Sequence, residues 1–195
     1  MIDSKLIIQL REQTGAGIVE AKKALEESGG DLTKATELLR KKGVIKAASK
    51  SERQTKDGLV HAYVHPNNKV GVLIEVLCET DFVARNPEFQ ELVHDLAMQA
   101  AATDPVYIKP EDVPSEVTAK EKEIWLEEVR GQEKPPAVIE KILQGKLGKW
   151  LGDNCLLNQP FIKDEDITVG ELIQQKIAKF GENIQVKRLV RFSLQ

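Results

Sequence analysis

An α+β fold is predicted by three features of this 195-residue chain. Short amphipathic stretches separated by glycines fill the first 43 residues. The hydrophobic period switches to two from Leu59, and helical spacing then returns until a last alternating stretch at 184–194. Residues 1–43 read as three helices. Asp3 or Ser4 caps the first, Leu6, Ile7 and Leu10 form its inner face, and Gly15 stops it. The second carries Ile18, Ala21, Ala24 and Leu25 and ends at Gly29-Gly30. Asp31 caps the third, with Leu32, Ala35, Leu38 and Leu39 inward and Gly43 closing it. Such a bundle is too small to be very stable by itself and suits a docking module.

Residues 44–57 continue the basic run Arg40-Lys41-Lys42 with Lys46, Lys50, Arg53 and Lys56. No aromatics are interleaved for base stacking, so a solvated linker helix is expected rather than a nucleic-acid surface. Residues 59–65 and 70–78 flank Pro66-Asn67-Asn68-Lys69 and predict a β-hairpin. Asn86-Pro87 opens a helix whose Phe89, Leu92, Val93, Leu96, Ala97 and Ala100 face the sheet. Beyond a proline-rich connection at 104–114, two striped helices predict an antiparallel helical hairpin over about 115–151, with a polar tip at Gly131-Gln132-Glu133-Lys134. One helix carries Val117, Ile124, Trp125 and Val129; the other starts at Pro135-Pro136 and carries Ile139, Ile142, Leu143, Leu147, Trp150 and Leu151. From Gln159-Pro160-Phe161 onward, Thr168 and Glu171 form a capping box, Gly181 ends that helix, and the alternating stretch at 184–194 joins the hairpin in one antiparallel sheet. The expected division is a three-helix domain at 1–43, a basic linker at 44–57 and a core at 58–195.

Composition narrows the function. A 41% hydrophobic fraction with 30% charged residues is ordinary for a folded protein, and a net charge of -3 disfavours a generic nucleic-acid binder. Two cysteines, Cys78 and Cys155, are too few for a disulfide scaffold and suit a reducing cytoplasm. The N-terminus has no signal-peptide layout and no apolar run approaches membrane-spanning length. His61 and His65 lie on one strand face roughly 13 Å apart, too far to chelate one ion. His94 falls on the polar side of its helix. No phosphate-binding glycine loop or nucleophile elbow occurs, so neither a metal site, a cofactor nor an enzyme active site is expected.

Thr80-Asp81-Phe82-Val83-Ala84-Arg85-Asn86, between a strongly apolar strand and an amphipathic helix, lies where a rigid scaffold presents a short loop. Its charge beside a large ring suits pushing on another protein rather than turning over a substrate. Taken alone, Phe82 reads more readily as a core residue.

Thr14-Gly15-Ala16-Gly17 followed by Ala21-Lys22-Lys23-Ala24-Leu25 resembles the N-terminal signature of the translation elongation factor Ts family. The segment from Cys78 to Asn86 is similar to that family's second signature, and Gln159-Pro160-Phe161 and Gly181-Glu182-Asn183-Ile184 match its C-terminal part. The resemblance implies a ubiquitin-associated-like three-helix head, a sheet core and guanine-nucleotide exchange on elongation factor Tu. It also implies that Thr80, Asp81, Phe82 and Val83 intrude into that GTPase and displace its Mg²⁺. Docking through the head is expected at Leu10, Arg11, Gly15, Ala16, Gly17, Ile18 and Val19. Family members often carry a Met pair where this chain has Ile18-Val19. The chain looks like the family's short form, with one core unit where longer members have two, so a homodimer is expected. Two other readings stay open: an adaptor with no exchange activity, and a ribosome- or RNA-associated protein using the basic stretch.

Overall fold

The structure is a computed structural model that describes residues 2–130 and 135–194. The hairpin tip at 131–134 and the side chains of Val44 and Lys46 lie outside the described residues. The chain is mixed helix and antiparallel sheet, as expected for α+β. It divides into two compact units. One takes in the N-terminal segment to Gly58, Leu77–Asn86 and Ile173–Gln185; the other takes in Leu59–Val76, the stretch from Pro87 to Leu172 and the segment from Val186 onward.

In the first unit, α1 (Ser4–Thr14), α2 (Ile18–Glu27) and α3 (Leu32–Ala48) close around Leu10, Ala21, Ala24, Leu25 and Ala35, with Ile2, Leu6, Ile7, Leu32, Leu38 and Leu39 packed against them. Asp3 caps α1 by accepting from the Lys5 amide at 3.0 Å. Asp31 caps α3 by accepting from the Lys34 amide at 3.1 Å. Gly15, at φ +66°, ends α1 in the left-handed region and donates to the Arg11 carbonyl at 2.8 Å.

Two expectations are corrected here. Gly43 does not stop the third helix, which runs on to Ala48. A Cβ there would lie 3.6 Å from that of Ala178, an ordinary contact, and a glycine inside a helix costs only about 1 kcal/mol against alanine, too little to end it. The stretch at 44–57 is therefore helical only to Ala48 and continues through turns to β1. Ile18 is also displaced: the apolar spacing puts it inward, yet it is exposed. As the first residue of α2 it precedes the turn that packs.

Most of the sheet β1-β2-β5 falls in the second unit; β2 (Val70–Cys78) is its central strand, with β1 (Asp57–Val64) and β5 (Gln185–Ser193) at its edges. The His65 amide donates to Val70 O at 2.9 Å, closing the hairpin as expected. Leu194 N donates to Lys69 O at 2.8 Å and Arg188 pairs with Glu75 at 2.6 Å, so β5 runs antiparallel to β2. Val72, Ile74 and Val76 point inward, and α5 (Pro87–Thr103) buries Phe89, Leu92, Val93, Leu96, Ala97 and Ala100. Arg191 Nε reaches the Ala101 carbonyl at 3.1 Å.

The other side of α5 carries an unforeseen attachment. The hairpin β3 (Pro160–Phe161) and β4 (Asp164–Thr168) hangs on Gln99, whose amide donates to Pro160 O at 3.1 Å and accepts from Ile162 N at 2.9 Å. Lys163 pairs with the buried Asp95 at 2.7 Å. The run Lys163-Asp164-Glu165-Asp166 has poor strand propensity, so these tertiary bonds determine its conformation. The Thr168–Glu171 capping box forms as expected at the start of α8 (Val169–Phe180): Glu171 N donates to Thr168 Oγ1 at 3.1 Å and Thr168 N to Glu171 Oε2 at 2.9 Å. The predicted helical hairpin is α6 (Ser115–Val129) and α7 (Pro136–Asn154). Trp125 and Val129 are buried, but the α7 stripe is only half-covered, so this hairpin is held less firmly than its apolar spacing suggests.

Candidate functional site

The segment after β2 is not an irregular loop. Thr80 is extended at φ -133°, ψ 157°, and α4 (Asp81–Ala84) follows as one helical turn, with Ala84 N donating to Thr80 O at 3.2 Å and Arg85 N to Asp81 O at 3.0 Å. The turn gives each predicted residue a separate position. Val83 and Ala84 are buried and anchor the segment. Asp81 pairs with Arg85 at 3.1 Å on the surface. Phe82 is 82% exposed, the most exposed of the large hydrophobic side chains described. A four-residue helix has no stability of its own, so the frame around it must hold it.

That frame comes from the turn after α8. Gly181, at φ +79°, receives the end of α8 by donating to Ile177 O at 2.9 Å and turns the chain back. Glu182 then accepts from Glu79 N at 3.1 Å, Thr80 N at 3.0 Å and Thr80 Oγ1 at 2.6 Å. Asn183 N donates to Glu79 Oε1 at 2.7 Å, and its buried side-chain amide donates to Ser51 O and Arg53 O at 3.1 and 2.9 Å. Lys50 Nζ donates to Gly181 O. The Cys78 thiol donates to Thr80 O at 3.2 Å. Burial pushes that thiol up to about 11, with the negative charge of Glu182 adding to the rise. The thiol is therefore a standing donor rather than a nucleophile.

The residues expected to dock lie along the end of α1 and the start of α2. Arg11, Gly17, Ile18 and Val19 are exposed, and Gly15 and Ala16 half-buried. Leu10 is wholly buried in the bundle, so it supports that surface and does not belong to it. Val83 differs from its neighbours in the same way.

His61 and His65 do not share a partner. His61 Nε2 lies 3.2 Å from Nδ1 of His94, a pairing the strand spacing alone did not reveal, whereas His65 Nδ1 meets the Tyr63 hydroxyl at 3.1 Å. Among the described residues no group of three or more His, Cys, Asp or Glu is placed to hold a metal ion.

These features define a presentation surface, in which a rigid frame holds one aromatic ring and one carboxylate outward. The family model described as Elongation factor TS matches residues 12–195. Among curated proteins, the chain is 54% identical over 194 residues to "Elongation factor Ts" of Thermosipho melanesiensis, spanning 100% of this chain and 99% of that one. It is 53% identical over 193 residues to the protein of the same name from Thermodesulfovibrio yellowstonii, covering 99% and 96%, and 54% identical over 194 residues to that of Moorella thermoacetica, covering 100% and 96%. The chain belongs to the elongation factor Ts family, and so to the translation elongation factors.

Proposed function

We propose that this chain is a guanine-nucleotide exchange factor that binds the GDP form of elongation factor Tu, displaces its Mg²⁺ and releases GDP during translation elongation. The observation that carries this reading is the exposed Phe82 on a turn anchored beneath by Val83 and Ala84. An apolar ring of that size faces water at a cost that burial in a partner's packing would relieve. GDP is held to a GTPase largely through its phosphates and the bridging Mg²⁺, so a wedge that moves the ion's ligands loosens the nucleotide. The Asp81 carboxylate is engaged by a surface ion pair, typically worth under about 1 kcal/mol, and is readily released to compete for local donors or repel phosphate.

Reciprocal coupling sets the energetics. A thousandfold weakening of GDP requires the factor to bind the nucleotide-free GTPase about 4 kcal/mol more tightly than the GDP form. No covalent step and no cofactor are involved, and the setting is the cytoplasm, where translation proceeds. Docking falls to Arg11, Gly15, Ala16, Gly17, Ile18 and Val19, with Leu10 supporting them from the bundle core.

The same reading includes a homodimer. The outer face of the sheet exposes Val60, Val64, Leu73, Val190, Phe192 and Leu194, an apolar surface of the kind that marks an interface.

The test is stopped-flow release of a fluorescent GDP analogue from elongation factor Tu, with the native chain, Asp81→Ala and Phe82→Ala. Strong acceleration, blunted in either variant, is expected. Absence of acceleration by the native chain rejects the exchange function and leaves an adaptor; acceleration untouched by both changes rejects the wedge.

A further inference from the structure

We infer that Glu182 is the positioning residue for nucleotide release, acting through Thr80 to fix the direction in which α4 presents Phe82; this rests on the exchange reading above. Thr80 precedes α4 where a hydroxyl ordinarily accepts from a free amide of the first turn, yet it makes no such cap. Its hydroxyl is turned away to Glu182 Oε1 at 2.6 Å, while Oε2 takes the amides of Glu79 and Thr80. The start of α4 is therefore oriented by a carboxylate 102 positions later in the chain. Hydrogen bonds to an ionised acceptor are about twice as strong as neutral ones, and three converge on this side chain.

Stiffness is what the geometry supplies. A wedge transmits force only if it does not fold back when it meets resistance. With four residues, α4 gives Phe82 no rigidity of its own. The clamp is itself braced, because Asn183 ties Glu79 from the same turn and holds the carbonyls of Ser51 and Arg53. Docking through Arg11, Ile18 and Val19 uses other residues of the chain. Loss of Glu182 should therefore slow release within the complex more than it weakens formation of the complex.

The experiment compares Glu182→Ala, Glu182→Gln, Thr80→Val and the Glu182→Ala/Thr80→Val double variant, as full-length chains, in GDP release at increasing factor concentration. Glu182→Ala is expected to lower the maximal release rate about tenfold or more, with the half-saturating concentration changed less than about threefold. Glu182→Gln, which keeps an oxygen acceptor and the side-chain shape, should recover most of the rate. Thr80→Val, which removes one of the three bonds and keeps the two amide donors, should cost less than Glu182→Ala, and the double variant should be no slower than Glu182→Ala, since the hydroxyl acts only through that carboxylate. Multiplicative losses in the double variant, or a native maximal rate in a folded Glu182→Ala, overturn the inference.

A second measurement needs neither a folded Glu182→Ala nor the GTPase. Amide hydrogen exchange on the native chain should show Glu79 and Thr80 protected, with their amide proton resonances downfield, and Glu182→Gln should shift those two selectively. Free exchange at both amides in the native chain overturns the clamp. A native chain that protects them but releases no GDP rejects the exchange reading and, with it, any role of the clamp in release.

Discussion

Phe82 makes few contacts within its own chain, so its removal should cost little stability and much activity. Phe82→Ala is expected to unfold within about 0.5 kcal/mol of the native chain in urea while losing about tenfold or more in GDP release. A parallel fall in stability would mean that the ring packs at home. Cys78 makes the opposite prediction. Its native thiol is pushed up to about 11 from an ordinary 9.0, so above pH 9 the unfolded chain releases its proton first. Stability should fall as pH rises from 9 towards 11, more steeply than in Cys78→Ala; equal slopes would reject the assignment. At neutral pH neither buried cysteine should react with iodoacetamide until the chain unfolds. His61 is held below its ordinary 6.5 by burial and then by the neighbouring charge of His94. The unfolded chain therefore takes up that proton first on acidification. Stability should drop as pH falls through 6.5, and His94→Asn should make the drop shallower when followed by thermal unfolding.

At the scale of elements, glycines separate into those that serve a helix and those that merely weaken it. Gly145 and Gly148 lie inside α7, and a Cβ added at either would meet nothing within 4 Å, so alanine there removes backbone freedom from the unfolded chain without a clash. Each change should stabilise by about 0.5–1 kcal/mol. Gly170, at the start of α8, differs: its Cβ would meet the Leu157 carbonyl oxygen at 2.9 Å. Gly170→Ala must displace backbone and should destabilise by about 1–3 kcal/mol. Differential scanning calorimetry of the three variants decides the matter by the sign of the change in melting temperature. Opposite signs also separate α7, a half-covered helix improved by propensity, from α8, whose first turn is fixed by packing.

For the whole molecule, the proposed homodimer would associate through the outer face of the sheet. Phe192 is 72% exposed, as is Leu194, and Val64 and Leu73 lie on the same sheet face. Sedimentation velocity at micromolar concentration should give twice the chain mass. Phe192→Asp together with Leu73→Asp should give single chains of unchanged circular dichroism, because neither side chain supports the interior. A native chain that sediments as a monomer throughout that range would retire the dimer and leave the sheet face without this role.

Local patterning determined the parts. Capping aspartates, paired glycines and the change of period from helix to strand mark α1, α2, the β-hairpin, α5 and the capping box of α8, because each depends on bonds within a few residues. The Phe82 segment was legible as a short segment presented by a scaffold, and resemblance supplied an expected role for it. Direction was decided only by the tertiary structure. Whether Phe82 faces water or core depends on Val83, Ala84 and a carboxylate about a hundred residues away, and no periodicity spans that interval. The same reason explains the β3–β4 hairpin, which forms on Gln99 and Asp95 against its own composition. Local sequence determines what a segment can form by itself; long-range hydrogen bonds and packing choose which way it points.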